Sequence, residues 1–179
     1  NRLFIGSNYG EIFEFTDDTF SSFAENTLNE SSIIELSTYE EALLAGTRRQ
    51  GIFALQNGTF TSWGTPELKA FLEVNELNKI QPVSEELVII GIVKGGIPFS
   101  NPKTGSLKNH FRQNGLQNNT VLSLHRDEQK VWIGLDNGID VVLPDTPIQY
   151  LLDNTGQLGA VYDLATFKGS LYAGSNTGL

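Results

Sequence analysis

The chain has 179 residues, with 12 Lys and Arg against 21 Asp and Glu and a formal charge of −9. This length buries a core without disulfides or metal, and the acid excess argues against direct nucleic-acid binding and against a surface held to anionic lipid. The absence of cysteine excludes thiol catalysis, disulfide scaffolding and Cys-ligated zinc or iron–sulfur sites. No run approaches the ~18 apolar residues of a membrane span.

One short phrase recurs along the chain: an apolar triplet ending in Gly, a few polar residues, a second Gly and another strand former. The copies are Leu3-Phe4-Ile5-Gly6 with Gly10, Leu43-Leu44-Ala45-Gly46 with Gly51-Ile52, and Val88-Ile89-Ile90-Gly91 with Gly95-Gly96-Ile97. Val131-Trp132-Ile133-Gly134 with Gly138-Ile139 and Leu171-Tyr172-Ala173-Gly174 with Gly178-Leu179 complete the series. The glycines Gly6, Gly46, Gly91, Gly134 and Gly174 stand 40, 45, 43 and 40 residues apart. That is the period of a four-stranded β-propeller blade.

In chain order, Thr16 to Ser32 is polar with scattered Phe and has room for a fourth strand and a link. A first strand follows at Ile33–Leu36, with counterparts at Ile80–Val83, Val121–Leu124 and Val161–Leu164. Ile33, Val121 and Val161 each lie 13 residues before their glycine. Pro66 to Val74 carries a helix-start signal, Pro then Glu, but reads equally as a strand with a long loop. The fourth repeat is the clearest. Val131–Gly134 is its second strand, Ile139–Val142 its third and Ile148–Leu151 its fourth, each short, β-rich and bounded by turn formers. The strand glycine has two readings, a site of close approach between blades or a mere strand end. Trp132 and Trp63 read as blade-to-blade core.

The fourth repeat, Gly115-Leu116 through Val121-Leu122-Ser123-Leu124 and Asp127 to Val131-Trp132-Ile133-Gly134 and Gly138-Ile139, resembles the two-component regulator propeller repeat. The last copy and the first match well over their lengths. The middle two depart: Gly46 is followed by the longer link Thr47-Arg48-Arg49-Gln50, and Gly91 by the apolar Ile92-Val93-Lys94. Asp153 to Tyr162 is similar to sensors of this type from Bacteroidetes.

This resemblance implies the extracytoplasmic sensor of a hybrid two-component or one-component signalling protein. Such a region lies in the periplasm, as part of an inner-membrane protein reaching the membrane only through downstream segments. A histidine kinase or DNA-binding output domain follows, and some relatives sense oligosaccharides. The expected fold is all-β: residues 1–179 as a β-propeller segment of about four four-stranded blades, within a larger ring of about seven. The start at Asn1 and the stop at Leu179 fit a piece of a longer protein.

The chemistry-bearing residues point to binding, not catalysis. His110 and His125 are the only histidines, and no spacing supports a metal or a general base. Asp17-Asp18, Glu40-Glu41 and Glu85-Glu86 sit in expected turns, and no glycine run forms a phosphate loop. The sequons at Asn29, Asn57 and Asn118 would be idle in a bacterial protein. No cofactor is expected. The loops between second and third strands are the ligand face of such an architecture. They carry Tyr9, Arg48, Arg49, Lys94, Asp136 and Asn137. Arg48 and Arg49 suit a carboxylated sugar or peptide acid, and Tyr9 suits stacking. Against these stands the reading of solvated hairpin tips, and turn geometry already accounts for Asp136 and Asn137. The expected partner is an oligosaccharide or other small ligand, with a homodimer as a second association. Two alternatives stand beside the sensor: a non-catalytic interaction or dimerisation module, and a propeller lyase or glycosidase.

Overall fold

Short apolar segments alternating with acid- and glycine-bearing turns fold here as antiparallel meanders. The computed structural model describes residues 2–24, 28, 31–112, 115–144, 160–168 and 170–178. The chain divides into two compact units, Asn1–Asp145 and Thr146–Leu179.

The first unit holds four sheets. The first contains β1 (Leu3–Gly6), β2 (Ile12–Thr16) and β3 (Thr19–Ser22). The second contains β4 (Ile33–Tyr39), β5 (Ala42–Thr47), β6 (Ile52–Gln56) and β7 (Thr59–Trp63). After helix α1 (Pro66–Val74), the third contains β8 (Glu76–Ser84), β9 (Leu87–Val93), β10 (Ile97–Ser100) and β11 (Leu107–His110). The fourth contains β12 (Val121–Asp127), β13 (Lys130–Leu135) and β14 (Gly138–Val142). The second unit holds the hairpin β15 (Val161–Phe167) and β16 (Ser170–Ser175). Tight turns explain the connections. Asp17 and Asp18 between β2 and β3 take φ of 51° and 58°, the left-handed pair of a two-residue hairpin turn.

Pro66 and Glu67 do begin a helix. The Thr65 hydroxyl accepts the Leu68 N–H at 3.3 Å, capping the first turn, and Leu68 and Leu72, four apart, are buried on one face. The strand alternative for this segment is thereby removed.

Three apolar clusters join the four sheets in succession. Ile12, Ile33, Leu43, Ala45 and Leu55 fill the first joint. Leu44, Ile52, Leu68, Leu77 and Ile90 fill the second, and Ile89, Ile97, Val121, Val131 and Ile133 the third. β5 is buried at every residue, and β9 from Val88 to Ile92, because both faces of these strands are covered. Their sequences accordingly run apolar without alternation. β13 alternates instead: Val131, Ile133 and Leu135 are buried, while Trp132 is 40% exposed. The expectation that Trp132 is core is corrected, since it stands on the opposite face beside His125 and Val141. Trp63 does pack on the second joint, edge-on to Tyr39 with ring centroids 5.5 Å apart.

Three of the five strand glycines lie at these joints, while Gly134 and Gly174 face Ser123 and Asp163 of their own sheets. A Cβ on Gly6 would fall 2.5 Å from Ile33 Cγ2, on Gly46 2.6 Å from Leu77 Cδ2, and on Gly91 2.7 Å from Val121 Cγ1. Each of these three is thus a seat for an apolar side chain at the start of the next sheet's first strand. That first strand has a register irregularity in the same place in β4, β8 and β12: Ile33/Glu35, Leu77/Lys79 and Val121/Ser123. The bulge lets one residue turn toward the neighbouring sheet without shifting the rest of the ladder.

The expected β-propeller segment of about four four-stranded blades in a ring of about seven is corrected. The described residues form an all-β array of five separate small antiparallel sheets with two, three or four strands, none closed on itself. The repeat dictates a local meander every forty-odd residues, but it specifies only the strands of that meander, and nothing in its period brings the first sheet to the last. The fourth strand expected at Ile148–Leu151 lies outside the described residues. The first-strand reading at Ile80–Val83 is shorter than β8, which starts at Glu76.

Candidate functional site

The four turns named from sequence do not converge on one place. Tyr9, in the β1–β2 turn, is 69% exposed, and its N–H donates to Ser7 Oγ at 3.1 Å. Asp136 and Asn137 form the exposed β13–β14 turn, where the Asp136 N–H donates to the Thr120 carbonyl at 3.1 Å. Arg49 and Lys94 come from different sheets, yet both line one cavity of about 460 Å³.

Backbone anchoring explains how these two side chains are brought together. The β5–β6 turn closes on buried Thr47, whose hydroxyl donates to the Gly51 carbonyl at 2.9 Å and accepts the Gln50 N–H at 3.0 Å. The Arg48 carbonyl accepts the Leu77 N–H at 3.1 Å, tying this turn to β8. Arg48 Nη1 meets Glu76 Oε1 at 2.9 Å. Arg48 is therefore committed to a carboxylate of its own chain, and Arg49 remains as the guanidinium of the cavity.

The β9–β10 turn is held from three sides. Gly96 N–H donates to the Asn119 carbonyl at 2.8 Å, Ile92 N–H to the Gly96 carbonyl at 3.2 Å, and Asn109 Nδ2 to the Gly95 carbonyl at 3.1 Å. Lys94 itself sits at φ 63°, a conformation that non-glycine residues take at a cost of ~1 kcal/mol or more. Gly96, at φ 77°, has no room for a side chain, since a Cβ would meet the His110 carbonyl oxygen.

The rest of the wall comes from Val93 at the end of β9 and from the end of α1 and the start of β8: Glu73, Val74, Asn75 and Glu76. Asn75 Nδ2 donates to the Phe71 carbonyl at 2.8 Å, satisfying one of the helix's last carbonyls. Val74 is 83% exposed and gives the rim an apolar edge. An adjoining cavity of about 320 Å³ shares Arg49 and Glu73 and adds Lys69. Glu73, Asn75 and Glu76 were not singled out from sequence. The signal was the helix reading over Pro66 to Val74, but nothing local shows that its end meets Arg48 and Arg49.

Chemically, the site offers two cations, Arg49 and Lys94, one carboxylate outside any ion pair among the described residues, Glu73, and one amide. That set can hold a polar ligand through charge-assisted hydrogen bonds. It contains no nucleophile beside a base, and among the described residues no group of three His, Cys, Asp or Glu is arranged for a metal. His125 is exposed on β12, away from this cavity. His110 on β11 is half-buried against the Phe99 ring, centroids 4.6 Å apart, and desolvation, helped by Lys108, lowers its pKa.

No protein-family model matches the chain, and no curated protein matches its sequence. Solved structures do resemble its fold. The computationally designed protein Ika4 is similar with a TM-score of 0.55 and 18% identity, over 80% of this chain and 85% of that one. The extracellular domain of a protein described as a hybrid two component system of B. thetaiotaomicron gives a TM-score of 0.62 and 16% identity, over 97% of this chain and 24% of that one. A second extracellular domain from the same organism, described as that of a one component system, gives 0.59 and 18%, over 96% and 27%. The chain thus spans about a quarter of the length of either extracellular domain. At these identities the likeness is one of fold. Among the described residues, no helix is long and apolar enough to cross a membrane.

Proposed function

We propose that this chain is part of the extracytoplasmic sensing region of a bacterial signal-transduction protein, and that it binds a small polar ligand or oligosaccharide in the cavity at Arg49 and Lys94. The observation that carries this reading is the convergence of two cations from separate, rigidly anchored turns on one cavity of about 460 Å³. The fold likeness to two bacterial extracellular domains supports the setting. In this reading the region is periplasmic and non-enzymatic. Ligand occupancy biases one arrangement of the full protein over another and so reaches a downstream output domain. Arg49 forks onto a carboxylate or a pair of hydroxyls, Lys94 adds a second positive contact, and Val74 packs against a sugar's C–H face.

The test is a thermal-shift and calorimetric screen of neutral and carboxylated mono- and oligosaccharides against the chain. Arg49→Ala and Lys94→Ala are each expected to weaken a hit by about tenfold, the loss of one charge-assisted contact. A hit that binds the double variant as tightly as the parent would overturn the assignment.

A second reading, an interaction or dimerisation module, draws on the exposed face of the fourth sheet, where Trp132 and Val141 stand side by side. Sedimentation of the chain with and without Trp132→Ser separates the two, because ligand binding at Arg49 is independent of that face.

A further inference from the structure

The cavity at Arg49 and Lys94 presents charges of both signs that do not meet one another. Elsewhere in the described chain, cations are given to carboxylates: Arg2 to Glu14, Arg48 to Glu76, Lys79 to Glu35 and Lys103 to Glu85. Arg49, Lys94 and Glu73 line the cavity of about 460 Å³, and Arg49, Lys69 and Glu73 line the adjoining one of about 320 Å³. Among the described residues, none of these four side chains forms an ion pair. Lys69 and Glu73, four apart, stand on one side of α1. Arg49 and Glu73 belong to both cavities, so the two are lobes of one site.

The unmet charges select the ligand. Glu76 is matched by Arg48, which leaves Arg49, Lys94 and Lys69 against Glu73 alone. A simple anion satisfies the cations but meets the repulsion of Glu73. A simple cation satisfies Glu73 but faces three positive charges. A neutral polyol leaves all four charges without a counter-ion. A molecule with two carboxylates and one ammonium group meets every one of them. Asn75 supports this choice: its Nδ2 is given to the Phe71 carbonyl, so its Oδ1 is the acceptor left to face an ammonium. Val74 and Val93 offer hydrocarbon to a short methylene chain. Gln50, Gly51, Ile52 and Ser62 complete the lobe that holds Lys69.

We propose that this site takes an acidic α-amino acid, with the α-carboxylate on Arg49 and Lys94, the ammonium on Glu73 and Asn75, and the side-chain carboxylate on Lys69. The inference rests on the assignment of the cavity at Arg49 and Lys94 and narrows its ligand to a zwitterion. Both lobes have the volume of small-molecule sites. The net charge of −9 opposes a plain dicarboxylate more than an amino acid, whose ammonium cancels one of its own negative charges.

The experiment uses three probes with one shared skeleton: L-glutamate, glutarate, which lacks the ammonium, and L-glutamine, which lacks the side-chain carboxylate. Each is titrated into the chain and followed by NMR shifts and calorimetry. Glutamate is expected to bind about tenfold more tightly than either of the others, each gap the size of one charge-assisted contact. Glu73→Gln is expected to bring glutamate to the level of glutarate, and Lys69→Gln to bring it to the level of glutamine, with melting temperature unchanged. Should a variant melt lower, the ranking of the three probes on the parent chain decides alone. Glutarate or glutamine binding as tightly as glutamate, glutamate binding unmoved by either substitution, or no glutamate binding at millimolar concentration would each overturn the proposal. Any of these leaves the cavity itself standing where a carboxylated sugar binds and Arg49→Ala weakens it. Glutamate binding that Arg49→Ala does not weaken would overturn both readings.

Discussion

Gly91→Ala isolates the joint between the third and fourth sheets. The added methyl would lie 2.7 Å from Val121 Cγ1 and 3.2 Å from Val121 Cβ and Lys79 Cβ. Val121 cannot retreat easily. It is fully buried, it is β-branched and so stiff at χ1, and its carbonyl accepts Asn78 Nδ2 at 2.7 Å. Overpacking of this kind costs ~1–3 kcal/mol. Replacing a strand glycine by alanine returns ~0.5–1 kcal/mol through the unfolded chain. The net expectation is a destabilisation of ~1–2 kcal/mol, or a melting temperature lower by ~2–8 °C for a chain of this size. Urea denaturation of Gly91→Ala, Val121→Ala and the double variant checks the cause. Val121→Ala alone leaves a cavity and costs ~2 kcal/mol. In the double variant the two methyl changes compensate, so its cost falls below the sum of the singles by ~1 kcal/mol or more. Strict additivity, or a stabilising Gly91→Ala, would refute the seat.

Three further expectations follow from the same geometry. Thr65→Ala removes the hydroxyl that accepts the Leu68 N–H and is expected to cost ~1 kcal/mol in urea titration, with Thr65→Ser restoring most of it. Arg48→Ala breaks an ion pair whose side chains are 60% and 28% exposed, so the loss is at most ~0.5 kcal/mol and shrinks further in high salt. The fold favours neutral His110. Its contribution is therefore whole above the ordinary value of 6.5 and is lost as the pH falls below it, so melting temperature should drop from pH 7 to pH 5, and His110→Phe should flatten that window.

The sequence made the strands and turns of the repeats legible, because each repeat is local: Val131 to Val142 folds into β13 and β14 through contacts within a dozen residues. The carboxylate pairs at Asp17, Glu40 and Glu85 likewise fell in turns, where they are readable from composition alone. What could not be read is what joins one meander to the next. Leu77, which fills the seat over Gly46, lies 31 residues downstream, three residues before Ile80, where the sequence places the start of that strand. Trp132 shows the converse failure, since its alternation with Val131 and Ile133 fixes a face without fixing whether anything covers it. Closure into a ring is the same kind of question, and the repeat period has no term for it. In the cavity, Arg49 and Lys94 were visible as cations in turns, while Glu73, Asn75 and Glu76 acquired their place only when α1 was set against the β5–β6 turn.

The seating of Gly6, Gly46 and Gly91 on the sheets that follow them has an energetic consequence. Among the described residues, the apolar clusters of the first unit each join sheets that are neighbours in sequence, so the opening of a meander is governed chiefly by one or two interfaces. The second and third sheets, covered on both sides, should surrender their amide protons to solvent most slowly, with β5 and β9 slowest of all. The first and fourth, each supported from one side within the unit, should fray earlier. The Arg49–Lys94 cavity lies at the second of these joints, so an occupant would act as a clamp across that seam, slowing exchange in the two sheets it bridges before any more distant one.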